Sequence, residues 1–393
     1  MNDVLYLAWR YLAYNRFKTG ILIASITLIV YLPIGLRVIV DQSAAELTAR
    51  AEATPLLVGA AGSPLELVLN SLYFETETPK LTQFGESQRL EASGLAEAIP
   101  LYVRFRARGQ PIVGTTIEYF EFRKLRFRVG RPMAVLGECV VGASAAEALQ
   151  VAVGDKIISS PESVFDLTGV YPLKMTVVGV LEPAFSPDDE GIFVDLKTAW
   201  VIEGLVHGHQ DLEAPEAASG VLRRDDEVIT ANASVVQYNE ITPDNIDSFH
   251  LHGDLSSYPL SAVIANPRDA KSGTILMGRF EGGDERSQIV QPIEVMNHLL
   301  DTVLRIQGFV VAAILVVAVA TMATAALVFM LSLRLRRVEI ATLIKIGGSK
   351  HRIGAILVSE VVAVLTTSAL LAAGLTLLTS RFGSELIRTL LLS

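Results

Sequence analysis

Three long apolar segments constrain what this chain can fold into. They are residues 21–40, which contain Pro33 and Arg37; residues 308–333, which contain no charge; and residues 353–378, in which Glu360 is the single charge. A helix needs about 20 apolar residues to cross a bilayer. Because 51% of the 393 residues are hydrophobic and only 19% are charged, the sequence predicts a membrane protein with three α-helical spans.

The charges that flank these segments predict how the spans are oriented. Basic residues precede the first span, and the loop 334–352 between the second and third spans carries six Lys or Arg against Glu339 alone. Positive flanks stay in the cytoplasm, so both are predicted to be cytoplasmic. Residues 37–305 carry 22 Lys or Arg and 38 Asp or Glu. This acidic segment is predicted to lie outside, and its charge disfavours nucleic acid as a partner.

The segment between the first two spans is long enough for a large mixed α+β extracytoplasmic domain with helical ends. Before the first span, Leu5, Ala8, Trp9 and Leu12 repeat at helical spacing and predict an interfacial elbow helix. The predicted organisation, in chain order, is an elbow (1–20), a first span (21–40), the outer domain with its helical stalk (41–304), a second span (308–333), a cytoplasmic loop (334–352), a third span (353–378) and a short C-terminal segment (379–393).

The cytoplasmic loop contains a short amphipathic pattern. One helical face is apolar and the opposite face is polar, with Ile340, Leu343 and Ile344 set against Glu339, Thr342 and Lys345. Two glycines then end the predicted helix, and Ser349 is placed to cap the next one. No GxxxxGK[ST] motif occurs in the chain, so the sequence predicts no P-loop for ATP.

This loop resembles the signature of the FtsX/MacB-like permease family of ABC transporters, in which a basic residue, Glu-Ile, apolar positions and a Gly-x-Ser turn form a coupling helix. LAWRYLAYNRFKTGILIASITLIV is similar to the family's elbow and first span, and VVGASAAEALQVAVGDKI with VVGVLEPAFSPDDEGIFVDLKTAW is similar to its outer domain. LLVGAAGSPLELVLNSLYF resembles the subgroup near the DevC and lipoprotein-release permeases. The resemblance assigns ATPase coupling to Arg337, Glu339, Ile340, Leu343, Lys345, Gly347, Gly348 and Ser349.

The resemblance implies a non-enzymatic permease subunit of the mechanotransmission type, in a bacterial inner membrane, with its large domain in the periplasm. A separate cytoplasmic ATPase binds ATP and Mg, so this chain itself holds no cofactor. The implied task is export or extraction of an envelope substrate such as a lipoprotein, lipid or peptide. The implied partners are that ATPase, a second permease chain, a periplasmic adaptor or lipoprotein, and the lipid bilayer. The family normally has a fourth span, which residues 379–393 are too short to form.

Two other functions stay open at this stage. An FtsX-like transmitter would activate a periplasmic cell-wall hydrolase without transporting anything. A metal-handling permease would use two His-x-His pairs, although solvated loops account for the same residues; the pairs are His207 with His209 and His250 with His252.

Single residues give three further expectations. Glu360 is costly within a membrane span, so it either reaches water or pairs with a basic loop residue, or else has a role in coupling. Cys139, the sole cysteine, is expected to be a small buried apolar residue. The run Asp188, Asp189 and Glu190 predicts a solvated turn instead of paired catalytic carboxylates.

Overall fold

The computed structural model describes residues 2–160, 172–208, 221–225, 228–231, 240–251, 253–281, 286–345 and 349–391. The chain divides into two compact units. The first, here called the helical unit, comprises Met1–Leu47 and His298–Ser393. The second, here called the α/β unit, is Thr48–Asn297.

The helices of the described ranges differ greatly in length, and the three longest carry the apolar segments. In chain order they are α1 (Asn2–Tyr14), α2 (Arg16–Glu52), α3 (Pro64–Tyr73), α4 (Phe84–Ala92), α5 (Glu118–Phe122), α6 (Ala143–Leu149), α7 (Leu196–Ile202), α8 (Ala270–Glu281), α9 (Pro292–Leu335), α10 (Arg337–Lys345) and α11 (Lys350–Leu391).

Helices α2, α9 and α11 contain the three predicted spans. Among the described residues, three helices are long and apolar enough to cross a membrane, and they lie at Arg16–Glu52, Pro292–Leu331 and His351–Phe382. Helix α2 continues past its apolar segment to Glu52, and α9 begins well before its own, as the sequence predicts. The predicted α-helical membrane part is therefore confirmed.

Polar side chains join α2 to α11 within the helical unit. The hydroxyl of Thr27 donates to the carbonyl of Ser368 at 3.3 Å, and the hydroxyls of Tyr31 and Thr379 lie 2.8 Å apart. Val364 of α11 packs beside them among apolar side chains of α2. Interhelical hydrogen bonds of this kind hold membrane helices together because lipid supplies no hydrophobic drive for their association.

Most strands of the α/β unit belong to one mixed sheet. The strands of the described ranges are β1 (Leu56–Ala60), β2 (Thr82–Gln83), β3 (Ala96–Ala107), β4 (Gln110–Thr115), β5 (Phe127–Gly130), β6 (Glu138–Val141), β7 (Lys156–Ile158), β8 (Lys174–Leu181), β9 (Ile192–Asp195), β10 (Val206–Gly208), β11 (Val221–Asp225), β12 (Val228–Ala231), β13 (Phe249–Leu251), β14 (Pro259–Leu260), β15 (Ala262–Pro267) and β16 (Ser287–Val290). The order of the mixed sheet is β16-β1-β15-β3-β4-β9-β6-β8-β5, β7 also pairs with β8, and the β4–β9 and β6–β8 pairs are parallel.

Residues 177–200 contain two β-rich runs around a Pro/Asp/Gly loop, a pattern that predicts two strands and a turn, and the structure forms β8 and β9 there. The second strand is shorter than its β-rich stretch, because Asp195 starts helix α7. The Asp195 carboxylate accepts a hydrogen bond from the backbone N–H of Lys197 at 2.9 Å. Such an N-cap satisfies a donor that a strand would have to pair elsewhere, so the chain turns helical at Leu196.

Cys139 lies on β6, an interior strand of the sheet. Its side chain is fully buried in the main apolar core, as the sequence predicts. Burial raises the pKa of the Cys139 thiol to about 12, because the thiolate is poorly solvated there. The thiol is therefore protonated and inert at neutral pH.

Candidate coupling site

The loop between α9 and α11 forms the helix that the sequence predicts. Helix α10 covers Arg337–Lys345, and the side chains of Arg337 and Lys345 are exposed while Ile340 is half-buried. Val338 is apolar yet 78% exposed. The backbones of Glu339 and Leu343 lie in this helix. Gly347 and Gly348, which are predicted to end it, fall outside the described residues.

Ser349 begins the next helix, as predicted. The backbone N–H of Arg352 donates to the Ser349 hydroxyl at 3.4 Å and to its carbonyl at 3.0 Å. The backbone N–H of Ile353 donates to the same carbonyl at 3.2 Å. A serine at this position replaces the partners that the first turn of a helix lacks. Helix α11 accordingly starts at Lys350.

Glu360 of α11 pairs with Arg336, the residue between α9 and α10. Arg336 Nη1 lies 3.1 Å from Glu360 Oε1 and 3.2 Å from Oε2. The side chain of Arg336 is 19% exposed and that of Glu360 is 7% exposed. An acidic group in an apolar helix needs such a partner, so the pair accounts for a charge that is otherwise costly at this place.

Arg336 also connects this pair to α1 and to α10. Its guanidinium lies over the ring of Tyr11, 3.6 Å from the ring centroid. Its carbonyl accepts the first hydrogen bond of α10, from the N–H of Ile340 at 2.9 Å. In the sequence, Arg336 is only one of six basic residues of the loop, and Tyr11 belongs to no predicted site. The one signal for this contact is the expectation that Glu360 pairs with a basic loop residue.

The interpretation of Asp188 and Asp189 as a solvated turn is wrong. Both side chains are buried, and only Glu190 of that run is exposed. The Asp189 carboxylate accepts backbone hydrogen bonds from Ala184 and Phe185, both at 2.8 Å. Sequence spacing could not show this, because the partner that draws Asp188 inward is Arg50, which lies 138 positions away.

Arg50, in the last turn of α2, forms a forked ion pair with Asp188. Arg50 Nη1 lies 2.6 Å from Asp188 Oδ2, and Arg50 Nη2 lies 2.9 Å from Asp188 Oδ1. The hydroxyl of Tyr119 donates to Asp188 Oδ1 at 2.6 Å and accepts from Arg50 Nη2 at 2.7 Å. Arg50 Nε donates to the carbonyl of Leu72, and the guanidinium lies 5.3 Å from the ring centroid of Phe74.

The environment of this pair controls its protonation. Burial alone would raise the pKa of Asp188, but the charge and hydrogen bonds of Arg50 and the bond from Tyr119 outweigh it. The pKa of Asp188 therefore lies below its ordinary value. Burial, with the Asp188 charge adding to it, raises the pKa of Tyr119 to about 12 despite the opposing charge of Arg50. Asp188 is thus ionised, and Tyr119 protonated, throughout the neutral range.

The contribution of the Arg50–Asp188 pair to the free energy of unfolding should depend on pH in the acid range. The pKa of Asp188 is lower in the folded protein than in the unfolded chain. The ionised carboxylate therefore contributes its full stabilisation of the fold above the ordinary Asp pKa of about 3.9, and this contribution is lost as the pH falls through the pKa of the folded state. We expect the difference in free energy of unfolding between wild type and Asp188→Asn to be constant from about pH 5 to pH 7 and to shrink below about pH 4. Urea unfolding of the full chain over this range measures it, and a difference that shrinks between pH 7 and pH 5 would contradict it.

The histidine pairs give no metal centre in the described part of the chain. Strand β10 pairs with β13 so that His207 stands opposite His250. His209 and His252 lie outside the described residues. No group of three or more potential metal ligands occurs among the residues that the structure describes. The metal hypothesis therefore stays a prediction from spacing alone.

Comparison with known families identifies the chain. Residues 20–235, which are 216 of 393, match the family model described as the MacB-like periplasmic core domain. The chain belongs to this MacB-like family. The predicted resemblance to FtsX/MacB-like ABC transporter permeases is thereby confirmed. The MacB-like chain is a membrane protein with three apolar helices of membrane length in its described part and a mixed α+β extracytoplasmic domain, as the predicted fold class states.

Two solved structures align with this chain at low identity. The extracellular domain of the noncanonic ABC-type transporter YknZ from Gram-positive bacteria is 14% identical over 60% of this chain and 98% of its own, with a TM-score of 0.32. The periplasmic region of MacB from Actinobacillus actinomycetemcomitans is 10% identical over 63% of this chain and 94% of its own, with a TM-score of 0.35. A search of curated protein sequences found no match. The family match alone supports the MacB-like assignment.

Proposed function

We propose that this chain is the permease subunit of a mechanotransmitting ABC transporter, which uses ATP hydrolysis by a separate ATPase to move its extracytoplasmic domain. The observation that carries the proposal is helix α10, an exposed helix in a basic loop between two membrane-length helices of a MacB-like chain. The work done is export or extraction of an envelope substrate such as a lipoprotein, lipid or peptide.

Helix α10 has the features of a docking helix. Val338 and Ile344 are exposed on it, and Arg337 and Lys345 place positive charge at its two ends. Apolar side chains of an amphipathic helix fill a groove in a partner, while charges at the rim fix its register. The groove belongs to the ATPase, and Glu339, Ile340 and Leu343 complete the contact.

The ion pair between Arg336 and Glu360 connects α10 to the membrane helices. Arg336 fixes the first turn of α10 to Glu360 of α11 and to Tyr11 of α1. Helix α9 ends at Leu335, directly before Arg336, and extends without a break from Pro292. Displacement of α10 by the ATPase is therefore passed to α11 and along α9 as a rigid-body movement.

The remaining components follow from this role. Mg-ATP is held by the ATPase, and this chain contributes no nucleotide site. Two ATPase subunits require two permease chains, so a homodimer or close heterodimer is formed. The chain resides in the bacterial inner membrane as a multi-pass protein, its α/β unit lies in the periplasm, and a periplasmic adaptor or lipoprotein meets it there.

Charge reversal on α10 tests the coupling. The full chain is purified in mild detergent with the ATPase that co-purifies, both are identified by mass spectrometry, and ATP hydrolysis is measured with and without the permease. Glu339→Lys should abolish stimulation of the ATPase, because it places a positive charge at the rim of the groove. Glu118→Lys, a matched reversal at an exposed position of α5, should leave stimulation unchanged. Wild-type stimulation by a folded Glu339→Lys chain would remove α10 from the proposed mechanism.

Thiol labelling tests the orientation. Since Cys139 is buried, a cysteine introduced at an exposed position is the accessible thiol of the chain. In cells with a permeabilised outer membrane, a membrane-impermeant maleimide should label Phe185→Cys and leave Lys345→Cys unlabelled until the inner membrane is opened. Labelling of Lys345→Cys before that step would reverse the proposed topology.

A further inference from the structure

The last turn of α2 is held by a clamp of four groups. The clamp consists of Arg50, the Asp188 carboxylate, the Tyr119 hydroxyl and the Leu72 carbonyl, all of which bond to the guanidinium or to one another. The side chains of Arg50 and Asp188 are only 5% and 2% exposed. A planar guanidinium that is bonded on several edges resists rotation as well as translation, which a single apolar contact does not.

Arg50 belongs to the same uninterrupted helix as the first membrane span. Helix α2 runs from Arg16 to Glu52, so the apolar segment and Arg50 lie on one helix. A buried ion pair contributes little net stability compared with an apolar pair of the same volume, because desolvating both charges is costly. The buried, forked ion pair at the end of α2 therefore points to a role in fixing the orientation of the helix end more than to a role in stability.

The loop that carries Asp188 is itself firmly held. Asp189 binds the backbone N–H groups of Ala184 and Phe185. On the other side of the loop, Gly142 approaches so closely that a Cβ there would lie 2.2 Å from the Asp188 carbonyl oxygen. The loop thus moves as one piece with whatever moves Asp188.

At the tip of this loop stands an exposed aromatic residue. Phe185 is 83% exposed, and its φ of 53° is rare for a bulky residue. Such strain persists only where surrounding bonds impose it, and here they are the two hydrogen bonds to Asp189. Phe185 is therefore a sensitive reporter position for the state of the loop.

We infer that Arg50 is a positioning residue for energy transmission, and that the clamp passes displacement of α2 to the loop Ala184–Glu190. The inference rests on the proposed function, since it presupposes that ATP hydrolysis moves the membrane helices. It adds a second route, through α2, beside the one along α9. In this route Asp188 receives the movement and Tyr119 keeps the fork aligned.

The experiment uses the full chain with Phe185→Cys, labelled with an environment-sensitive fluorophore and reconstituted in nanodiscs with the co-purified ATPase. Two signals are recorded on adding Mg-ATP, namely the rate of ATP hydrolysis and the change in fluorescence. The clamp is removed by Arg50→Met with Asp188→Leu, because an apolar pair of similar volume preserves folding better than one unpaired charge. The expected result is stimulated hydrolysis with the fluorescence change lost.

A matched control exists in the same unit. Arg104 Nη1 lies 2.8 Å from Glu203 Oε1, and the Tyr102 hydroxyl donates to Glu203 Oε2 at 2.6 Å, so an arginine, a carboxylate and a tyrosine also meet away from α2. Arg104→Met with Glu203→Leu should keep both signals. Loss of the fluorescence change in this control as well would overturn the inference, because any disturbed ion pair would then have the same effect.

A second variant covers the case in which the apolar pair fails to fold. Arg50→Lys keeps the charge but loses the fork, and it should also lose the fluorescence change while its melting temperature stays within about 4 °C of wild type. A full fluorescence change in either folded clamp variant overturns the inference and leaves the proposed function intact. If the labelled chain with an intact clamp shows neither stimulated ATP hydrolysis nor a fluorescence change, the proposed function is overturned, and the inference with it.

Discussion

Asp188→Asn should lower the free energy of unfolding of the α/β unit by about 3–5 kcal/mol, because it leaves the guanidinium of Arg50 buried without a counter-charge. Arg50 has no route to water at this place, since its side chain is 5% exposed and is bonded to Tyr119 and the Leu72 carbonyl. Urea unfolding of the full chain in detergent measures the effect. Trp200, which is buried in the α/β unit, is the reporter in a Trp9→Phe background.

Two comparisons make this expectation specific. Asp244→Asn changes the same charge at an exposed position and should cost no more than about 0.5 kcal/mol. Arg50→Met combined with Asp188→Leu removes both charges and should recover most of the loss. If Asp188→Asn unfolds at the wild-type urea concentration, the buried pair does not form in the protein.

Arg336→Ala should destabilise the helical unit, because it leaves Glu360 unpaired among apolar helices. The cost should lie toward the lower end of the roughly 3–5 kcal/mol that breaking a buried pair produces, since Arg336 retains 19% exposure. The stacking of the guanidinium on the ring of Tyr11 is lost as well. Thermal denaturation of the purified full chain in detergent micelles, followed by helical circular dichroism, gives the loss.

Changes at Glu360 and at the neighbouring Arg337 supply the controls. Glu360→Gln added to Arg336→Ala removes the unpaired charge and should restore much of the melting temperature. Arg337→Ala, one position along the chain, removes an exposed charge and should leave the melting temperature unchanged. Equal melting temperatures for Arg336→Ala and Arg337→Ala would show that Glu360 does not need the contact.

The elements that sequence patterns predict well are those set by local chemistry. Helix α10 forms over Arg337–Lys345 and Ser349 starts α11, because an amphipathic repeat and a capping hydroxyl act over one or two turns. The β8–loop–β9 segment is likewise found, although Asp195 ends β9 early by capping α7. Contacts between residues that are distant in the chain cannot be predicted from such local patterns. The acidic run at 188–190 has the composition of a solvated turn, and nothing within it points to Arg50.

By itself, the amino-acid sequence determined the class of this protein. Apolar segments of membrane length, the acidic segment between the first two of them, and the basic coupling loop are one-dimensional features, and hydrophobic length and charge act on them directly. The tertiary structure alone decided which charges are buried together. Arg336 meets Glu360, and Arg50 meets Asp188, because desolvated charges must find partners of opposite sign. Only the folded chain brings those partners within 3 Å or so of each other.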